Sequence, residues 1–305
     1  MYVDRTFEGV TSKPWQAGTY GMVRNPFRPA PGARVMYGKF HEGIDVKPIY
    51  RDENNEPLDE VRSIAPGVVV HTSDTPGDSN YGRYVVVAHR VPEGIIYSLY
   101  AHLASVDCSV GDRVRSGQGL GRLGYSGVGL DKTRAHLHLE IGLMINSQFE
   151  NFFSGENKHG NYNGLNLIGI NPASVLWACR KGAPFSLSAH FAKLKEHYRV
   201  AVPCITALDI LVRHPFLYKG SKTLRRRPES LEIAFTAEGV PIGIYTSDRQ
   251  VTEPYIISCR PMPAKQQSCT VNRVKNSSED AALTSSGLNY INQYLWKKGI
   301  YPPEN

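Results

Sequence analysis

No stretch of this sequence approaches the ~20 consecutive apolar residues that a membrane-spanning helix needs, which excludes a helical membrane protein. The opening MYVDRTFEGV has no basic segment followed by an apolar core, so no signal peptide is expected there. Cysteine is scarce: Cys108, Cys179, Cys204, Cys259 and Cys269 are the five, and no CxxC pair occurs. An odd count speaks against a disulfide framework, although Cys259 and Cys269 are spaced to pair across a hairpin. There is no internal repeat and no low-complexity tract. The densest charge run is only Arg225-Arg226-Arg227, read as a solvated loop rather than a nucleic-acid patch.

What is present is ordinary globular composition. Of 305 residues 41% are hydrophobic and 21% charged, enough for a real core and too apolar for wholesale disorder. The length suits one large or two modest domains. Gly (28), Pro (20) and Tyr (17) favour strands and turns over a helical bundle. A net charge of +7 suits an anionic polymer such as an acidic wall glycan, a nucleic acid or a membrane surface, without choosing among them.

Residues 1–23 carry little periodicity and read as an N-terminal arm. From there to about residue 145, β-branched and aromatic runs alternate with turn residues: Val68-Val69-Val70, Tyr84-Val85-Val86-Val87 and Ile95-Ile96-Tyr97. No helix of normal length fits, so this part is expected to be a β-sandwich or barrel. The Asn-, Gly- and Ser-rich 146–169 stretch reads as a long surface loop. NPASVLWA follows, and composition changes near Lys181-Gly182-Ala183-Pro184, the expected domain boundary. Beyond it, helical patterns fall near 188–197 and 205–213. SLEIAFT and VPIGIYTS are set to form a hairpin, YIISCRP reads as a strand, and LNYINQYLWKKG as a last helix with a Ser-Ser start.

Three pieces carry chemistry. His41-Glu42-Gly43-Ile44-Asp45 holds an imidazole and a carboxylate that a fully extended chain would place ~13 Å apart; Gly43 allows a bend that joins them. In Ala135-His136-Leu137-His138-Leu139-Glu140-Ile141, period-two alternation predicts a strand with His136, His138 and Glu140 on one face, the two imidazoles ~7 Å apart. Tyr97-Ser98-Leu99-Tyr100-Ala101-His102-Leu103 is an apolar run ending on a histidine. A catalytic zinc wants three His or carboxylate ligands and one open position, and HxxxD with one histidine of the HxH pair supplies them. Hydrolysis also needs a proton acceptor and a donor for the developing oxyanion, for which histidines remain. Spacing alone leaves open which histidine of the pair ligates.

Over Phe27 to Ile145 these residues resemble the lysostaphin-type zinc endopeptidases, the M23 or LytM-like family. The likeness runs through His41/Asp45, Gly67-Val68-Val69, Tyr81-Gly82 to His89, and Tyr100-Ala101-His102-Leu103. It continues in Gly111-Asp112-Arg113-Val114, Gly117-Gln118, Gly121, Gly124, Ser126-Gly127 and His136-Leu137-His138-Leu139-Glu140. The resemblance implies Zn2+ held by His41, Asp45 and His138, with His102 and His136 activating water and steadying the tetrahedral intermediate. Glu140 is then placed to hold an imidazole tautomer. It implies a mainly β catalytic domain, an antiparallel β-sheet core of the duplicated-hybrid-motif type over residues 24–180, followed by a smaller α+β domain over 185–305 of unassigned role.

The implied activity is hydrolysis of peptide bonds in bacterial peptidoglycan, in cross-links or stem peptides. The implied place is outside the cytoplasm, secreted or in the cell envelope. Peptidoglycan peptides are the expected partner and nucleic acid is not; a protein partner through the C-terminal domain stays open. The rival reading is an inactive LytM-like module that binds peptidoglycan or regulates another wall hydrolase, and retention of all five site residues argues against it. A biotinyl- or lipoyl-type barrel is disfavoured because GDRV…GQGLG lacks a modifiable lysine. Between Gly127 and His136 the family's short turn with Pro before HLH is replaced by VGLDKTRA, with Ala135 in the Pro position. His71, His89, His159, His190, His197 and His214 are read as structural or surface residues, and Tyr37 and Tyr81 as packing residues near the groove.

Overall fold

A computed structural model describes residues 6–7, 10–11, 18–28, 30–32, 36–152, 157–180, 185–204, 208–220, 228–261, 270–275 and 278–296. The arginine run at 225–227, the expected boundary at 181–184 and Cys269, with its pairing to Cys259, lie outside them. The chain is mainly antiparallel β. One nine-stranded sheet carries the site, and a four-stranded sheet with short helices follows it.

The organising strand is Gly94–Val106, which pairs along one edge with Arg83–Val91. Its other edge changes partner. Residues Tyr97 to Ala101 pair with Leu137–Met144, whereas Leu103 to Val106 pair with Gly119–Leu123. His102 sits at the hand-over with φ +65°, and its N–H bonds the Tyr81 carbonyl at 2.9 Å. A left-handed backbone at a non-glycine residue costs on the order of 1 kcal/mol and persists only where its surroundings enforce it.

The apolar run Tyr84-Val85-Val86-Val87 does not alternate because both of its faces are covered. Val85 and Val87 pack with Tyr100, Leu103, Leu120 and Leu139, while Tyr84 and Val86 pack with Leu99, Ala101 and Leu167 on the opposite side. No α-helix occurs among the described residues between 24 and 145, as expected.

The 146–169 stretch is not loop to its end. Leu167–Ile170 is a buried strand on Leu137–Met144, pinned where the Asn166 side chain donates to the Asn146 carbonyl at 2.8 Å. SLEIAFT and VPIGIYTS pair as the expected hairpin, and Tyr255–Cys259 is a strand on the far side of Tyr198–Pro203. The helical patterns after 185 shrink to Leu187–Phe191 and Ile210–Arg213. The final helix, Ser285–Leu295, is capped by Thr284 rather than by the serines; its hydroxyl accepts from the Gly287 N–H at 3.0 Å. This helix and the second sheet share a core with the first. Ile141, Leu143, Ile168 and Ile170 belong to one cluster with Val200, Ile233, Phe235, Tyr290 and Tyr294.

His214 is fully buried, and neither ring nitrogen has a hydrogen-bond partner among the described residues. Burial, then the neighbouring Arg213 charge, depresses its pKa to about 3. A histidine depressed in the folded state leaves the unfolded chain binding more protons between about pH 6.5 and pH 3. Its contribution is therefore full above pH 6.5 and is lost as pH falls toward 3, on the order of a few kcal/mol. Calorimetry should show Tm falling over that window and a shallower fall in His214→Phe; equal slopes would exclude this source.

Candidate metal centre

Strand register assembles the site. Ile44–Val46 pairs with Leu137–Met144 so that Asp45 lies directly opposite His138. His41 ends the preceding strand, Met36–His41. Gly43 sits at the expected bend and has a second role there. A Cβ there would lie 2.5 Å from the Leu139 carbonyl oxygen and 2.9 Å from His138 Cε1, and its φ is not in the left-handed region. The position needs glycine for space, because the His138 imidazole packs against its backbone.

Three ligand-type atoms converge. His41 Nε2 lies 2.9 Å from His138 Nδ1 and 3.2 Å from Asp45 Oδ1, and His138 Nδ1 lies 3.0 Å from the same oxygen. The opposite nitrogens are engaged: His41 Nδ1–H donates to the Thr19 carbonyl at 2.9 Å, and His138 Nε2–H donates to Glu140 Oε1 at 2.8 Å. Each imidazole thus turns its remaining nitrogen toward the other and toward a carboxylate oxygen. Without a metal a proton on His138 Nδ1 satisfies these contacts, and a bound cation would take that proton's place. Tetrahedral ligands at zinc distances of ~2.0 Å stand about 3.3 Å apart, close to the triangle found, so this donor set fits the metal.

Burial opposes ionisation of Asp45, but the surrounding imidazoles of His136, His138 and His41 outweigh it and hold the carboxyl far below its usual range. Burial likewise opposes charge on His138, yet Asp45 and Glu140 hold it up at about 9, so metal binding would displace a proton from this ring. Burial pushes His41 down.

Two further imidazoles border this triangle. His102 Nδ1–H donates to the Ser126 carbonyl at 2.9 Å and His136 Nδ1–H to the Arg134 carbonyl at 2.7 Å, which leaves both Nε2 atoms as bases. The two rings stand 4.7 Å apart, and His102 is 5.7 Å from the His138 ring. Burial, then the charges of His136 and His138, hold His102 well below the usual histidine range. His136 Nε2 is 3.4 Å from Asp45 Oδ1, too long for a full hydrogen bond. The VGLDKTRA loop serves this arrangement. The Asp131 carboxylate accepts from the Thr133 and Arg134 N–H groups, forming a short 3-10 turn that aims the Arg134 carbonyl at His136. Ala135 has φ −55° and ψ 130°, a backbone that proline also adopts.

The structure thus brings together His41, Asp45, His102, His136, His138 and Glu140. Sequence reasoning missed the groups around them. Arg24 Nη2 donates to Asp45 Oδ2 at 2.6 Å, and the Tyr81 hydroxyl donates to Glu140 Oε1 at 2.8 Å, so Tyr81 does more than pack. Thr19, Ser126 and Arg134 act through backbone carbonyls, which leave no side-chain signal.

A cavity of about 540 Å³ opens beside the triangle, lined by Arg24, His41, Glu42, His138, Glu140 and, from the last helix, Tyr290. Burial, then the charge of Glu140, raises the Glu42 carboxyl to about 8. A second depression of about 650 Å³, lined by Glu56, Tyr125, Ser126 and Leu130, lies on the side of His102.

The sheet thus holds a His-Asp-His donor set that could bind a metal ion, beside two further imidazoles. Residues 39–150 match the model of Peptidase family M23. Among solved structures the chain is similar to a point-mutant catalytic domain of the prophage-encoded M23 protein EnpA from Enterococcus faecalis. The identity is 23%, over 51% of this chain and 85% of that one, with a TM-score of 0.30. It is also similar to the catalytic domain of the antimicrobial peptidase lysostaphin from Staphylococcus simulans, with 23% identity over 52% and 89% of the two chains and a TM-score of 0.31. A zinc-containing peptidase from Vibrio cholerae matches at 22% identity over 40% of this chain and 36% of its own, with a TM-score of 0.25. No curated protein matches the chain.

Proposed function

We propose that this protein is a zinc-dependent endopeptidase that hydrolyses peptide bonds in bacterial cell-wall peptidoglycan. The observation that carries the reading is the convergence of His41 Nε2, Asp45 Oδ1 and His138 Nδ1 within 2.9–3.2 Å of one another. His41, Asp45 and His138 would hold the zinc, which when bound would supply a Lewis acid to polarise the scissile carbonyl and lower the pKa of water toward ~7. His102, neutral and with Nε2 turned inward, takes the proton from the attacking water and returns it to the leaving amine. His136, with a proton taken from solvent at Nε2, donates to the carbonyl oxygen as negative charge develops there. Glu140 holds the His138 ring in the tautomer that ligates, and Tyr81 steadies Glu140. The M23 match and a net charge of +7 support an anionic wall substrate, and with it a place of action outside the cytoplasm. We assign the peptidase domain to residues 24–180.

The test is direct. Protein purified without chelator should carry about one zinc per chain and release new amino termini from purified sacculi. Dialysis against a chelator should stop the release and added zinc restore it. Metal-loaded protein that leaves sacculi intact would sink the substrate assignment, and protein that takes up no metal would sink the mechanism.

A further inference from the structure

Arg24 lies outside the residues that match the family model, on the strand Gly21–Phe27, which pairs with Met36–His41. The pairing shifts register between Met22 and Arg24, and such an irregularity re-aims a side chain. Here it sends the guanidinium across to Asp45. Arg24 Nη2 donates to Oδ2 at 2.6 Å, a charge-assisted bond to a carboxylate whose side chain is only 1% exposed. The two carboxylate oxygens therefore have different duties. Oδ2 is held by Arg24, and Oδ1 alone faces His41 and His138. Gly18 closes the remaining side, because a Cβ at that position would come within 3.3 Å of Asp45 Cβ.

A carboxylate with both oxygens available can chelate a metal through the pair, raising the coordination number and filling the position that hydrolysis needs open. We infer that Arg24 is a positioning residue: it holds Asp45 Oδ2 so that the carboxylate offers the metal one oxygen and a coordination position stays open. The inference rests on the metal-site reading above. Its positive charge also offsets that of Asp45, so the bound cation keeps more of its polarising power. The flat guanidinium suits this contact better than a lysine ammonium, which supplies the charge without the fixed fork.

The test uses Arg24→Met and Arg24→Lys in the full chain loaded with cobalt(II), whose visible absorption is strong in four-coordinate and weak in five-coordinate sites. Chelator competition first measures metal affinity in the unaltered protein; failure to bind there would overturn the metal reading itself. With binding established, Arg24→Met should show weakened visible bands and a kcat/KM lower by ~10–100-fold. Added guanidinium should restore part of both. Arg24→Lys should fall between, and it also serves should Arg24→Met fold poorly. Visible bands and kcat/KM unchanged in both variants would overturn the inference while leaving the metal site standing.

Discussion

Replacing His138 with alanine is expected to take bound zinc from about one ion per chain to near zero and to abolish hydrolysis. The imidazole is one of three ligand-type groups, and its Nδ1 lies 2.9 Å from His41 Nε2 and 3.0 Å from Asp45 Oδ1. Two remaining ligands hold zinc poorly, because each missing bond returns its share of the binding free energy to water. Thermal unfolding gives a second readout. A ligand that binds only the folded state adds ~4 kcal/mol at a thousandfold excess over Kd, so zinc should raise the Tm of the unaltered protein and leave that of His138→Ala in place. The variant also removes the His138 donor to Glu140, a buried carboxylate that then keeps the Tyr81 hydroxyl. A lower metal-free Tm is therefore expected too. Stoichiometric zinc in the variant would move the metal to a different set of ligands.

How much of this was legible beforehand follows the range of each interaction. Local alternation in His136-Leu137-His138-Leu139-Glu140 exposed the shared face, since a strand's two-residue period is fixed by covalent geometry. The β-rich character of residues 24–145 and the hairpin after 230 were equally open to reading, being set by β-branched runs and turns. The bend at Gly43 is legible from its residue type, but the room it also gives His138 is a contact between residues distant in sequence that no local pattern encodes. Arg24 escaped notice because its partner is fixed by a register shift between two strands, not by spacing. Leu167, Ile168 and Gly169 fall within the loop reading because Asn and Gly dominate the stretch before them, whereas their burial depends on the strand they join. The left-handed backbone at His102 has no sequence signature at all. It arises where one long strand exchanges one neighbour for another.

That conformation shapes the second large effect. His102→Asn should lower kcat by ~10²–10⁴-fold, the usual share of a general base, while zinc content and KM stay near their original values. Asparagine is the informative replacement because it tolerates the left-handed region far better than alanine does. The Tyr81–His102 backbone bond and the strand hand-over should therefore survive, and Tm should move little. His102→Ala, by contrast, should lose activity and some stability together, since its backbone gains nothing from a polar side chain in that region. His136→Ala should also reduce kcat. If one imidazole accepts the proton while the other steadies the oxyanion, the double variant should lose less than the product of the two single losses, because groups acting on one step fail as a unit. Full kcat in His102→Asn with zinc bound would assign proton transfer to His136 instead, and the 4.7 Å between the two rings is small enough for either to reach the same water.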